Sequence, residues 1–138
     1  MWIEGGMKKN GRFWIVEFPG MDAATQGRTR KGAVAMAKDL LEGLAEAEGF
    51  DLDITVTPGD NETIRAGADD GKRFTAFILR RWRQAHGLTL LDAAKRLGST
   101  SLNAYARYEQ GRAEPTLSKL EKLIHAVSGG EKLRLVFG

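Results

Sequence analysis

The sequence predicts an α+β protein in two parts, a small N-terminal βββαβ module followed by an all-α domain. Apolar residues alternate with polar ones in the N-terminal part, whereas from Phe74 onward they recur at helical spacing. The charge also changes sign along the chain. Residues 1–70 hold 8 Lys and Arg against 13 Asp and Glu, and residues 71–138 hold 13 against 5. A basic half is typical of nucleic-acid binding, whereas an acidic half suits a basic protein surface.

The first two strands are predicted at Trp2 to Glu4 and at Arg12 to Phe18. Gly5-Gly6 and Lys9-Asn10-Gly11 are predicted as turns, and Asn-Gly favours a tight hairpin because both residues tolerate positive φ. Both faces of the second strand are largely apolar. This pattern predicts a helix on one face and a second cover, such as a partner subunit, on the other.

A third strand is predicted at Ala24 to Arg28, followed by a helix that Thr29 caps and that ends near Gly49. The apolar stripe of this helix is predicted to consist of Val34, Ala37, Leu41 and Leu44. A fourth strand follows, because Leu52, Ile54 and Val56 alternate with polar residues. The N-terminal domain is therefore predicted at residues 1–62. Residues 63–71 are predicted as a linker, and residues 72–138 as the second domain.

Four helices are predicted in the second domain. The first ends at Gly87, and Thr89 caps the second, with Asp92 as its partner in a capping box. The third helix runs from Ser101 to about Gln110. The fourth opens at Pro115-Thr116 and carries a leucine stripe. A short terminal strand is predicted at residues 133–137.

Two short helices joined by a glycine-containing turn are typical of a DNA-binding helix-turn-helix. The segment from Gly87 to Gly111 resembles the lambda-repressor-like (XRE) helix-turn-helix family. The matching residues are Leu88-Thr89, Ala94, Leu97-Gly98, Glu109-x-Gly111, Pro115, Leu117 and Leu120. The resemblance implies that Ala94 and Glu109 are scaffold residues. The sequence departs from the family at Leu90, where a DNA-contacting Gln is usual, and in one extra residue between Gly98 and Glu109.

The exposed face of the third predicted helix is the expected reading surface for double-stranded operator DNA. Asn pairs with an adenine edge, a small residue accepts a thymine methyl group, and arginines hold phosphates. The candidate DNA contacts are Thr89, Ser101, Asn103, Ala104, Arg107 and Arg112. The alternative is that Asn103 only caps a turn and that the arginines are only solvated. Tyr105 and Tyr108 are predicted as core residues.

The N-terminal half resembles the HicB antitoxin domain, which has a partial ribonuclease-H-like fold. The resemblance lies in Gly11-x-Phe13-x-Ile15-x-x-Phe18-Pro19, in Thr25-Gln26-Gly27 and in the helix after Thr29. It implies that the acidic half binds and blocks a HicA-like messenger-RNA endonuclease toxin, while the basic half represses the operon. Trp14 and Glu17 are candidate toxin contacts. The alternative is a transcription repressor whose N-terminal module senses a ligand or another protein.

A homodimer or higher oligomer is expected, with recognition helices ~34 Å apart on a near-palindromic site. No catalytic activity, cofactor or metal site is expected. Glu4 and Glu17 lie on strands without the further carboxylates that a two-metal site needs, and His86 and His125 lack a neighbouring ligand motif. Cysteine is absent, which excludes disulfides and thiolate chemistry. The lack of a long apolar run or a leader predicts a cytoplasmic protein without a membrane partner.

Overall fold

The computed structural model describes residues 1–98 and 101–134. The chain divides into two compact units, Met1–Phe74 and Thr75–Gly138. The N-terminal unit contains a sheet and a helix, and the C-terminal unit is helical, so the chain is α+β as predicted. Within the described ranges, no helix combines the length and the apolar character that crossing a membrane requires.

The N-terminal unit is a five-stranded antiparallel sheet with one helix, α1 (Arg30–Ala47). The strands are β1 (Trp2–Asn10), β2 (Phe13–Phe18), β3 (Ala23–Gly27), β4 (Thr55–Pro58) and β5 (Thr63–Gly67). Their order across the sheet is β3-β2-β1-β5-β4. The predicted succession of three strands, a helix and a strand is confirmed, and the structure adds a fifth strand.

The prediction of a turn at Gly5-Gly6 is wrong, because β1 runs straight through both residues. Gly5 pairs with Ile64 of β5, and Gly6 pairs with Glu17 of β2. A Cβ atom on Gly5 would lie 2.8 Å from Cδ1 of Phe18 and closer still to a backbone oxygen of β2. Glycine is therefore required here by the close approach of a core side chain and not by a turn.

Residues 63–67, predicted as part of a linker, form β5 in the interior of the sheet. Ile64 and Ala66 are fully buried, while Arg65 between them is exposed. The strand returns from β4 through Asn61 and Glu62, which both have positive φ. The alternation of buried and exposed residues in β5 is too short for its sequence to be told apart from that of a polar loop. Pairing with β1 and β4 makes this segment a strand.

Helix α1 begins where predicted, because the Thr29 hydroxyl accepts a hydrogen bond from the Gly32 amide at 2.9 Å. Its buried stripe differs by one position at each end from the predicted one. Val34 and Leu44 are half-buried, and the fully buried residues are Ala33, Ala37, Leu41 and Ala45. Small side chains allow the helix to lie close to the sheet, where Cβ on Gly27 would be 2.8 Å from Cα of Ala33.

The two faces of the sheet differ in burial. The face toward α1 includes Val16 and Phe18, which are buried, as predicted for a helix-covered face. The opposite face carries side chains from β1, β2 and β5, and its apolar members include Trp2 at 53% exposure and Phe13 at 36%. We call this surface the outer face. Its members include Trp2, Glu4, Phe13, Ile15, Glu17 and Arg65.

The C-terminal unit is built from four helices, as predicted. They are α2 (Gly71–Ala85), α3 (Leu90–Arg96), α4 (Leu102–Glu109) and α5 (Leu117–Val127). The core of this unit includes Leu79 of α2, Ala94 of α3, Tyr105 of α4 and Leu123 of α5. A terminal strand is predicted at 133–137, and residues 135–137 of it lie outside the described residues. Leu133 packs against this core without strand geometry.

Candidate DNA interface

The start of α3 is fixed by the predicted capping box. The Thr89 hydroxyl accepts a hydrogen bond from the Asp92 amide at 3.1 Å, and the Asp92 carboxylate accepts one from the Thr89 amide at 2.9 Å. The Thr89 amide lowers the pKa of Asp92, and a hydrogen bond from the Thr89 hydroxyl to the same carboxylate lowers it further. The hydroxyl proton is thus used within the capping box, and the role of Thr89 as a DNA contact stays a prediction.

The first turn of α4 presents short, uncharged side chains to solvent. The Ser101 hydroxyl caps the helix by accepting a hydrogen bond from the Ala104 amide at 3.3 Å. Leu102, Asn103 and Ala104 are exposed, and so is Arg107 one turn later. The structure thus brings four predicted contacts together on one helix, with the Ser101 hydroxyl committed to the cap.

The end of α4 places Arg112 next to the last helical turn. Gly111 has a φ of 69°, a left-handed conformation that glycine adopts without steric strain. The Arg112 amide donates to the Arg107 carbonyl at 3.0 Å, and the Gly111 amide donates to the Tyr108 carbonyl at 3.4 Å. These two bonds define a Schellman motif. Because Arg107 and Arg112 are both exposed, two cations flank the C-terminal end of α4.

A buried carboxylate holds α4 against α2. Glu109 is 1% exposed, and its two carboxylate oxygens accept hydrogen bonds from Nε of Arg83 at 3.0 and 2.8 Å. The Tyr105 hydroxyl donates to the same carboxylate. Arg83 also donates to the Leu88 carbonyl at 2.8 Å, and Arg80 donates to the Glu109 carbonyl at 2.8 Å. One ion pair therefore joins α2, the turn before α3 and α4.

Tyr105 is held in its neutral form by this arrangement. Burial raises the pKa of Tyr105, and the negative charge of Glu109 raises it further. Tyr105 belongs to the core and Tyr108 packs against it, so both tyrosines are core residues as predicted. Ala94 at 1% exposure is also in the core, in keeping with the scaffold role predicted for it and for Glu109.

Two leucines of α3 differ in their surroundings. Leu90, which stands where the resembling family usually has Gln, is half-buried and packs against the core. Leu91 is 50% exposed. Leucine offers no hydrogen bond to a base, so at this position α3 lacks the polar contact that the resembling family usually makes.

The sequence-based prediction missed Leu102, which is 41% exposed at the first position of α4. A leucine next to a helix cap is usually interpreted as a core residue, and sequence spacing alone does not place it elsewhere. Its spacing of three and seven residues from the buried Tyr105 and Glu109 favours the core, so no sequence signal could have found it.

The predicted toxin contacts lie apart from each other. Trp14 is half-buried on the α1 side of the sheet, whereas Glu17 is exposed on the outer face. Their side chains therefore project from opposite faces of the sheet. Glu4 is also on the outer face, and its Oε2 lies 3.7 Å from Nε of Arg65. Among the described residues, no group of three or more His, Asp or Glu side chains is placed to hold a metal ion.

Comparison with known families identifies the C-terminal unit. Residues 79–127 match the family model described as helix-turn-helix, and the match begins in α2 and ends at the last residue of α5. No curated protein matches the chain. The matched segment contains α3, α4 and the buried Glu109 pair, so the XRE-type helix-turn-helix resemblance is supported in this unit. This match supports a role in DNA binding and transcription regulation for the C-terminal unit.

Proposed function

We propose that this protein is the antitoxin of a type II toxin–antitoxin pair. In this proposal the N-terminal unit is a HicB-type module with a partial ribonuclease-H-like fold, and it binds and neutralises a HicA-like endonuclease toxin. The C-terminal unit represses the operon that encodes both proteins. The chain itself performs no catalysis, because blocking a toxin requires only complementary shape and charge.

The observation that carries the proposal is the opposite charge of the two halves. Residues 1–70 have five more acidic than basic side chains, from 13 against 8, and residues 71–138 have eight more basic ones, from 13 against 5. A protein that only binds DNA gains nothing from an acidic half, since that half is repelled by phosphates. A basic protein partner gives the acidic half a role.

The outer face is the proposed docking surface for the toxin. It combines the exposed apolar side chains of Trp2 and Phe13 with the carboxylate of Glu17. Aromatic side chains supply much of the binding energy in protein interfaces. Glu4 and Glu17 share the outer face with Lys8 and Arg65, so attraction of a cationic partner would come from the net negative charge of the whole unit and not from this face alone. Trp14 lies on the other side of β2, so a toxin that covers the outer face does not contact its side chain.

The DNA-binding half of the proposal is tested with the full chain and an operator fragment taken from the region upstream of its gene. The double variant Arg107→Gln plus Arg112→Gln is expected to weaken binding by about tenfold or more at 100 mM salt and to reduce the salt dependence by about two phosphate contacts. The matched control is Arg12→Gln plus Arg28→Gln, which removes the same charge from exposed positions in the N-terminal unit. Equal losses in both variants would contradict a specific role for α4.

The toxin-binding half is tested by co-expression with the short basic protein encoded next to this gene. If a short basic protein is encoded next to this gene, the two chains are expected to co-purify, and Phe13→Ala plus Glu17→Ala is expected to release the partner while operator binding is retained. Val34→Ala, a half-buried change on α1, is the control for general damage to the unit. If no neighbouring protein co-purifies and growth is unaffected by its expression, the antitoxin role falls and the sensing repressor becomes the better explanation.

A further inference from the structure

The first turn of α4 differs in chemistry from the turn that follows it. Leu102, Asn103 and Ala104 are exposed and none of them is charged, whereas the first exposed cation of α4 is Arg107, one turn later. The N-terminal residues of a recognition helix approach base edges most closely. The chemistry of these three side chains therefore bears on the sequence that the helix reads.

We infer that the first turn of α4 reads A·T base pairs and that Leu102 is a specificity-determining residue that contacts a thymine methyl group. This inference rests on the proposed DNA-binding role of the C-terminal unit. It adds a residue that offers no hydrogen bond and that sequence pattern had not selected.

Two properties of Leu102 support the assignment. Its side chain is 41% exposed, and it occupies the first position of α4, next to the Ser101 cap. In the major groove the thymine methyl is the largest apolar group on a base edge. An exposed leucine gains free energy by burying that methyl, and it gains less from a guanine or cytosine edge.

The neighbouring residues point to the same base pair. Asn103 can bond to N6 and N7 of adenine with its amide, and Ala104 leaves space for a methyl group. Guanine is most often read by a bidentate Arg or Lys, and positions 102–104 contain neither. An A·T pair presents both the adenine edge and the thymine methyl. Because successive helical side chains project about 100° apart, we expect the three residues to contact neighbouring A·T pairs.

The test begins with selection of preferred duplexes from a random library by the full-length protein. Each thymine of the selected site is then replaced by deoxyuridine, which removes the methyl group and leaves base pairing unchanged. For the wild-type protein, at least one replacement is expected to weaken binding about fourfold, the effect of one buried methyl group. Leu102→Ala is expected to bind the thymine duplex and the corresponding deoxyuridine duplex with equal affinity. Alanine is a good helix former, so the helix is retained at that position.

Leu91→Ala is the control, because Leu91 is also an exposed leucine of this unit but lies on α3. This variant is expected to keep the fourfold response to deoxyuridine. The inference is overturned if Leu102→Ala keeps the response, if Leu91→Ala loses it, or if the selected half-site places G·C pairs where α4 lies. Failure of the proposed function differs from these outcomes, because then no duplex sequence is enriched at all.

Discussion

The ion pair between Arg83 and Glu109 provides the sharpest test of how the C-terminal unit is stabilised. Replacing Arg83 with Met removes the two hydrogen bonds from its Nε to the Glu109 carboxylate and leaves a negative charge on a side chain that is only 2% exposed. The nearest remaining cation is Arg80, whose Nε lies 3.9 Å from the carboxylate. That distance is too long for a hydrogen bond, so the carboxylate loses its main partner.

Breaking one side of a buried ion pair costs about 3–5 kcal/mol, mostly because the remaining charge has no compensation. The remaining contact to Arg80 and the hydrogen bond from Tyr105 reduce that penalty, so we expect Arg83→Met to lower the free energy of unfolding by about 3 kcal/mol. Glu109→Gln keeps an oxygen that accepts the Tyr105 hydrogen bond. Adding Glu109→Gln to Arg83→Met is therefore expected to restore about 2 kcal/mol, since no buried charge remains.

Urea unfolding followed by hydrogen exchange measures this effect separately in α4 and in the sheet, so that loss in one unit is not confused with loss in the other. The four proteins of the double-mutant cycle are measured at the same pH and salt concentration. The reasoning is refuted if Arg83→Met costs less than about 1 kcal/mol, or if the effects of the two substitutions simply add.

Three further predictions concern other parts of the chain. Gly5→Ala is expected to destabilise the N-terminal unit by about 1–3 kcal/mol through overpacking, whereas Gly43→Ala, on an open helix surface, is expected to stabilise it by about 1 kcal/mol. The raised pKa of Tyr105 predicts stability that is complete below about pH 10 and is lost as the pH rises further, because only the unfolded chain then releases the proton readily. Tyr105→Phe should remove that part of the alkaline slope in unfolding experiments. The lowered pKa of Asp92 predicts stability that is lost as the pH falls through that pKa, and Thr89→Ala should raise the pKa in a carboxyl NMR titration.

Each of these has an outcome that contradicts it. Equal melting temperatures for Gly5→Ala and Gly43→Ala would mean that the backbone of β1 shifts at Gly5 with little loss of stability. An unchanged alkaline slope in Tyr105→Phe would assign that slope to other groups. An unchanged Asp92 pKa in Thr89→Ala would mean that the Thr89 hydroxyl does not contribute to the lowered pKa in solution.

Helix starts and ends could be predicted closely from the sequence. Thr29, Thr89 and Ser101 each cap a helix through an amide three residues further along the chain. Gly49 and Gly111 end helices as expected, both with positive φ. These interactions involve neighbours in sequence, so the information needed to predict them lies within a few consecutive residues.

The sheet could be predicted only in part. Gly5 and Ile64 are partners although they are far apart in sequence, and that pairing converts both a supposed turn and a supposed linker into strands. The pairing depends on burial of Ile64 and on the approach of Phe18 to Gly5. Strand structure follows from such distant partners, and a short segment does not contain that information.

The candidate site divides in the same way. The sequence by itself determined the charge of each half, the helix caps and the residues on the reading helix, because these depend on composition and local spacing. Only the tertiary structure decided that Glu109 bonds to Arg83, that Leu90 packs inward and that Leu102 remains exposed. Those properties depend on which helices pack together, and packing is set by contacts between residues that are distant in the chain.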